Sequence, residues 1–316
     1  NVRIGATAGD SIQSGGNFNT LVGTNAGTAI TTGDSNVAVG RNALDAEVAG
    51  SLSVAVGVGA LTSQTNSTAT DVYNTAVGHA AGNQVTTGTN NTIVGGLAGD
   101  AITTGSSNTT IGYSAGSALT EGGFNVAVGR QALLSTTTVN DNVAIGNNAL
   151  RLNVTGTRNV AVGSSALDAN TASDNTAVGN SAGLSVTSGI SNVLIGSGAG
   201  DALTDADENT AVGMNALSSD TQGSDSVAIG TGALFTQNFT TQTSALNVAV
   251  GYQAGEQVTT GLQNTLLGAN AGDELTDADF NVAVGVNALG SDTLGSNSTA
   301  LGWSALAAQN FSTATL

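Results

Sequence analysis

NVAVGRNAL, residues 36–44, returns as NVAVGRQAL at 125–133, NVAVGSSAL at 159–167 and NVAVGVNAL at 281–289. β-Branched residues placed either side of a small one and closed by glycine read as a short strand entering a turn. The glycine density and the missing 3.6-residue period exclude helix. The closing glycine recurs at Gly5, 23, 40, 57, 78, 95, 112, 129, 146, 163, 179, 196, 213, 230, 251, 268, 285 and 302, which makes eighteen units. Thirteen of the seventeen spacings are 17 residues, with one of 18, one of 16 and two of 21.

With Asn36 as position one and Gly40 as position five, position one is Asn in fifteen units and Ser in three (Ser53, Ser226, Ser298). Position two is always Val or Thr, position four always Val, Ile or Leu, and position eight always Ala, as at Ala43. Positions nine and twelve exchange. Nine units carry Gly at nine and an aliphatic residue at twelve, among them Ile30, Ile102 and Leu275; the other nine carry Leu at nine, among them Leu44, Leu133 and Leu217, and a polar residue at twelve. One large side chain per unit therefore fills one volume from either of two backbone positions. Close packing explains the rule, since overpacking costs roughly 1–3 kcal/mol and a Leu-sized void roughly 2–5.

A unit of this length cannot bury an apolar face alone, but stacked on identical neighbours it can. The expected fold is all-β, a parallel β-solenoid (β-roll or β-helix) of eighteen coils running through residues 1–316 as one array. Strands about 4.8 Å apart would make a rod roughly 85 Å long. Position one is expected to form an Asn ladder or to mark a tight corner. Strand alternation puts Val37 and Val39 on one face, expected to be the core, and Ala38 on the other. Both faces are apolar, so a second layer is expected, supplied by identical chains as an intertwined or side-by-side parallel homotrimer.

A longer repeat overlies the short one: residues 268–316 match the stretch that begins at 196, at a constant offset of 72. The two 21-residue coils place extra residues in bulged loops at 62–73 and 235–246. Since the second copy stops where the first runs on into Asn247, the natural polypeptide is expected to continue past Leu316.

The pattern of NTAVGHAAG (74–82), NVAVGYQAG (247–255) and NTAVGMNAL (209–217) resembles the shaft repeats of phage tail fibres, where a self-cleaving intramolecular chaperone domain often follows. SVAIG (226–230) is similar to the head repeat of trimeric autotransporter adhesins, whose β-rolls have a shorter repeat. The resemblance implies a trimeric fibre on a virion or cell surface.

Composition narrows the function. The chain has 45 glycines, no proline, no cysteine, 9% charged residues and a net charge of −17. Such a surface repels phosphate backbones, so nucleic acid is not an expected partner. No apolar run is long enough to suggest membrane insertion. The one histidine, His79, sits at the variable position after Gly78 and reads as surface decoration. Ser and Thr lack an adjacent base, so neither catalysis nor a cofactor is expected. The acidic stretches 202–209 and 274–281 are oxygen-rich but match no calcium-loop pattern, which favours a solvated edge over a Ca²⁺ site. Tyr73, Phe235 and Phe239, in the long coils, are candidate contacts for a receptor or glycan, against the reading that they shield the seam between copies.

The expected function is a structural fibre segment, a tail-fibre shaft that spans distance and supports host attachment. The alternative is the head of a bacterial trimeric adhesin. A third reading, an ice- or carbohydrate-binding solenoid, rests on the threonine pairs at 31–32, 86–87, 103–104 and 259–260.

Overall fold

The computed structural model describes residues 1–311. The chain forms two compact units, Asn1–Arg158 and Asn159–Leu316. Each is a parallel β-solenoid, and together they comprise about eighteen coils of about 17 residues. Every coil contributes one three-residue strand at positions two to four, such as Val37–Val39 or Val160–Val162. In the first unit these strands pair in parallel without slippage, Ala38 opposite Ala55 and Ala127 opposite Ala144. The second unit repeats the register, with Ala177 opposite Leu194 and Ala249 opposite Leu266. The continuation expected past Leu316 lies outside the described residues.

The interior lies on the strand face opposite to the expected one. Ala38 is fully buried whereas Val37 and Val39 are half-buried and face outward, and the same pattern holds at Val126–Val128 and Val248–Val250. The reason is width: the coil is so narrow that most strands can turn only a methyl group inward. Ala43, Leu44, Ile30, Ile102, Leu133, Leu217 and Leu275 are all fully buried. The exchange between positions nine and twelve is visible as shared volume. A Cβ placed on Gly27 would stand 2.8 Å from the Ile30 Cδ1, and one on Gly99 2.7 Å from the Ile102 Cδ1.

A second rule governs position three. The large apolar residues there, Leu21, Ile93, Leu194 and Leu266, occur only where both their own coil and the preceding one have Gly at nine. Leu194 lies across two such glycines: its Cδ1 would meet a Cβ on Gly183 at 2.7 Å, and its Cδ2 a Cβ on Gly200 at 2.7 Å. Thr110 takes this place in one coil, fully buried, with its hydroxyl unpartnered.

Two backbone features allow coils this tight. The glycine at position five adopts φ near +137°, as in Gly40, Gly196 and Gly285, a conformation that L side chains rarely adopt. Positions seven and nine lie in the left-handed helical region even when they are not glycine, as at Asn42 (φ 58°) and Leu44 (φ 53°). That conformation costs a Leu about 1–2 kcal/mol, and burial of its side chain, worth about 1.5–3 kcal/mol, offsets the cost.

The position-three rule predicts coupling. Gly183→Ala and Leu194→Ala should each destabilise the chain, the latter by roughly 2–5 kcal/mol. Combined, they should cost less than their sum by about 0.5–3 kcal/mol in denaturant titrations. Strict additivity would sink the shared-volume account.

Candidate functional site

The Asn residues at position one form a buried ladder that runs through backbone as well as side chains. The Asn36 Oδ1 accepts from the Ser53 backbone N–H at 2.9 Å, and the Asn36 N–H donates to the Asn19 Oδ1 at 2.8 Å. The Asn36 Nδ2 crosses the coil to donate to the Gly50 carbonyl, 14 residues on, at 2.9 Å. The same pair of bonds recurs at Asn91 and Asn108. Each Asn thus closes its own coil and fastens the next.

Serine interrupts this ladder at Ser53 and Ser226, and the interruption coincides with the two 21-residue coils. A buried carboxylate node takes over there. The Gln64 Nε2 donates to the Glu47 Oε2 at 2.8 Å and to the Ser53 Oγ at 2.9 Å, while the Gln64 Oε1 accepts from the Asn74 Nδ2 at 3.0 Å. Glu47, fully buried, also accepts from the backbone N–H groups of Val48, Gly50 and Asn66 and from the Asn66 side chain. In the second unit Asp220, Gln237, Ser226 and Asn247 repeat the arrangement. Asp292, Gln309 and Ser298 form it once more. Each buried carboxyl group is surrounded by hydrogen-bond donors from backbone and side chains.

The extra residues follow the node. Thr70–Asp71 pairs with Gly50–Ser51, and Thr243–Ser244 with Gly223–Ser224, so each bulge is confined to the few residues before the added strand. Of the expected receptor contacts, Tyr73 is 53% exposed and Phe235 half-buried. Phe239 is only 6% exposed: its N–H donates to the Asp220 Oδ1 at 3.0 Å, and its ring lies against Gly223. It belongs to the interior, where it covers the carboxylate node, and is not an exposed anchor. Beside this loop a cleft of about 370 Å³ is lined by polar groups, including Asp207, Asp225 and Gln242.

The acidic stretches serve the fold. The Asp207 and Asp279 carboxylates accept from the backbone N–H groups of Ile190 and Leu262 in the preceding coil, at 2.8 and 2.7 Å. Asp205 and Asp277 accept from the Ser188 and Thr260 hydroxyls, both at 2.6 Å. Among the described residues no group of three or more His, Cys, Asp or Glu could hold a metal ion, and no helix is long and apolar enough to cross a membrane. The first threonine of each pair is also engaged: the Thr86 and Thr103 hydroxyls donate to the Thr103 and Thr120 carbonyls, at 3.1 and 3.2 Å. Their partners Thr87 and Thr104 are exposed.

The outward strand face is the largest coherent surface feature. Positions two and four carry only Val, Thr, Ile or Leu in every coil, and Val77, Ile111 and Ile229 are among those that stand exposed. Position six flanks one end of each strand and holds the exposed Tyr113, Met214 and Tyr252, as well as His79. The residue before position one flanks the other end and holds the exposed Phe18, Tyr73 and Phe124.

No protein-family model matches the chain, and no curated protein matches it significantly. The nodes escaped the reading of single columns but are present in the sequence as linked residues. Gln occupies position twelve only in the three serine coils, and an acid occupies it only in the coil before each of them.

Two measurements follow from these groups. Glu47→Gln turns an oxygen that accepts hydrogen bonds into a donor facing donors, and should cost about 2–4 kcal/mol in urea unfolding. Burial raises the Asp273 carboxyl to about 6, Glu274 and Glu256 add to the rise, and a backbone hydrogen bond opposes it. Its folded-state value lies above the ordinary 3.8, so the folded chain binds the proton more readily. Stability from this group is therefore greatest below about pH 4 and declines as pH rises through about 6. Asp273→Asn should melt higher than the parent at pH 7.5, and the two midpoints should converge near pH 4.

Proposed function

We propose that the chain is a structural segment of an extracellular fibre, a shaft of the tail-fibre kind that spans distance and supports host attachment, working as a parallel homotrimer on a virion surface. The observation that carries this reading is the constancy of the coil. From one coil to the next the strand register and the buried Ala at position eight repeat, the interior varies only by exchanges that keep it filled, and free variation falls in exposed columns such as position six. Repetition of this kind adds about 4.8 Å of length per coil without a new fold. Many of the polar groups that could otherwise suggest chemistry hold coils together: Glu47 and Asp220 in nodes, Asp207 and Asp279 on backbone amides, the first threonine of each pair on a carbonyl. The role is accordingly mechanical rather than catalytic, with no cofactor, and Tyr73 is the exposed aromatic of a long coil that remains available to a receptor or glycan.

Immunogold electron microscopy with antibodies against this chain tests the reading on virions and cells of the source culture. Label along filaments projecting from virions is the expected result. Label on a bacterial envelope would select the adhesin reading instead, and label confined to cell interiors would overturn both.

A further inference from the structure

Purely parallel sheets are almost always covered on both faces. In this protein the inner face of each unit's sheet is covered by the rest of its own coil, and the outer face is bare. Among the described residues, the exposed large apolar side chains lie at positions two, four and six or immediately before position one, apart from Leu152, Val154, Ile190, Leu306 and Phe311. Scattered apolar residues on a surface need no explanation, but a contiguous face of this kind marks an interaction site.

Charge says what covers it. The chain carries −17, yet no carboxylate stands at position two, four or six in any of the eighteen coils. The acids are gathered at positions ten to seventeen and in the long-coil loop, as at Asp45, Glu121, Asp205 and Asp279; the column immediately before position one holds Asp141, Asp174, Glu208 and Asp225 and so is not part of the acid-free face. Two copies of so acidic a chain repel each other through every other side, and this face is where they can approach without placing carboxylates together. A basic partner would instead be expected to select acids on the docking face.

Spacing and area agree. Nine coils per unit at about 4.8 Å and a width of about 17 Å give on the order of 700 Å² per unit, close to the roughly 800 Å² each partner contributes to a stable complex. The rows of β-branched side chains have the same coil-to-coil period in every copy, so rows of one copy can seat between rows of another without strain.

We infer that the outward strand face, positions two and four with the adjoining position-six column, is the surface through which a second copy of this chain docks. This deepens the homotrimer reading by assigning its contact face, and it does not depend on where in a virion or cell the fibre stands.

Analytical ultracentrifugation with circular dichroism tests it. The parent chain should sediment as an oligomer at micromolar concentration. Val128→Glu with Ile145→Glu should dissociate it at least tenfold more readily while the β-sheet spectrum persists, and Thr87→Glu with Thr104→Glu should leave association unchanged. Should the glutamates prevent folding, Val128→Thr with Ile145→Thr, which keeps a β-branched shape at both sites, should weaken association several-fold in a folded chain. The chain has no cysteine, so single variants give a second readout: Val128→Cys should form disulfide-linked dimers on oxidation and Thr104→Cys should not. A parent that is a folded monomer, or face variants that associate as the parent does, would overturn the assignment. A folded monomer would overturn the homotrimer together with its face, whereas an oligomer whose face variants associate as the parent does would overturn the face alone; filament labelling by immunogold would survive either outcome.

Discussion

Successive coils press backbone against backbone where each strand ends, at the glycine of position five. A Cβ on Gly129 would stand 2.4 Å from the Gly146 carbonyl oxygen, and one on Gly40 2.4 Å from that of Gly57. A Cβ there would overlap the next coil's carbonyl, so only glycine fits and the strand ends are held level. Register accompanies it: with strand ends held level, Asn36 falls beside Asn19, Ala38 beside Ala55, and each column becomes a continuous row. The Asn ladder then needs no geometric adjustment from coil to coil, because the carbonyl oxygen that must reach the next backbone amide is delivered at the same height every time. Where the chain needs more residues in a coil, the ladder yields to a carboxylate node, and the glycine contact is kept across the long coil at Gly57 and Gly78.

The interior obeys a related limit. A cross-section this narrow admits one large side chain entering from the turn, from position nine or twelve, and a larger residue at position three only where glycines above and below make room. The columns are therefore not independent. Leu194, Gly183 and Gly200 share one volume, and a change in any of them is felt in the next coil. The coupling extends to the backbone, since Leu at position nine requires the left-handed conformation that glycine would take there more easily.

Much of this was legible in the sequence. The period, the strand, the parallel stacking and the exchange of Leu44 for Ile30 all follow from spacing and residue size, because every coil repeats the same steric problem and eighteen solutions can be compared within one chain. The direction of the strand was not legible. An alternating Val-Ala-Val places two residues on one face and one on the other, and hydrophobicity alone favours the valines for the core; the narrowness that sends Ala38 inward is a property of the closed coil. The burial of Phe239 was hidden for a similar reason. An aromatic residue in an inserted loop looks exposed until the node that it covers is known, and that node joins Asp220, Gln237 and Ser226 across a separation of 17 residues.

Sharing of volume between coils has a consequence for how such a chain can lengthen or shorten over generations. A single coil cannot be removed at random: excising the one that contains Gly183 would set Leu194 against Leu167, the position-nine leucine of the coil before. Duplication or loss is tolerated when the two new neighbours agree about who supplies the bulk. The 72-residue copies meet that condition, since Leu194 and Leu266 each follow a coil with glycine at position nine, Gly183 and Gly255. Recombination within such an array is thus punctuated, with permitted joints at some coil boundaries and forbidden ones at others.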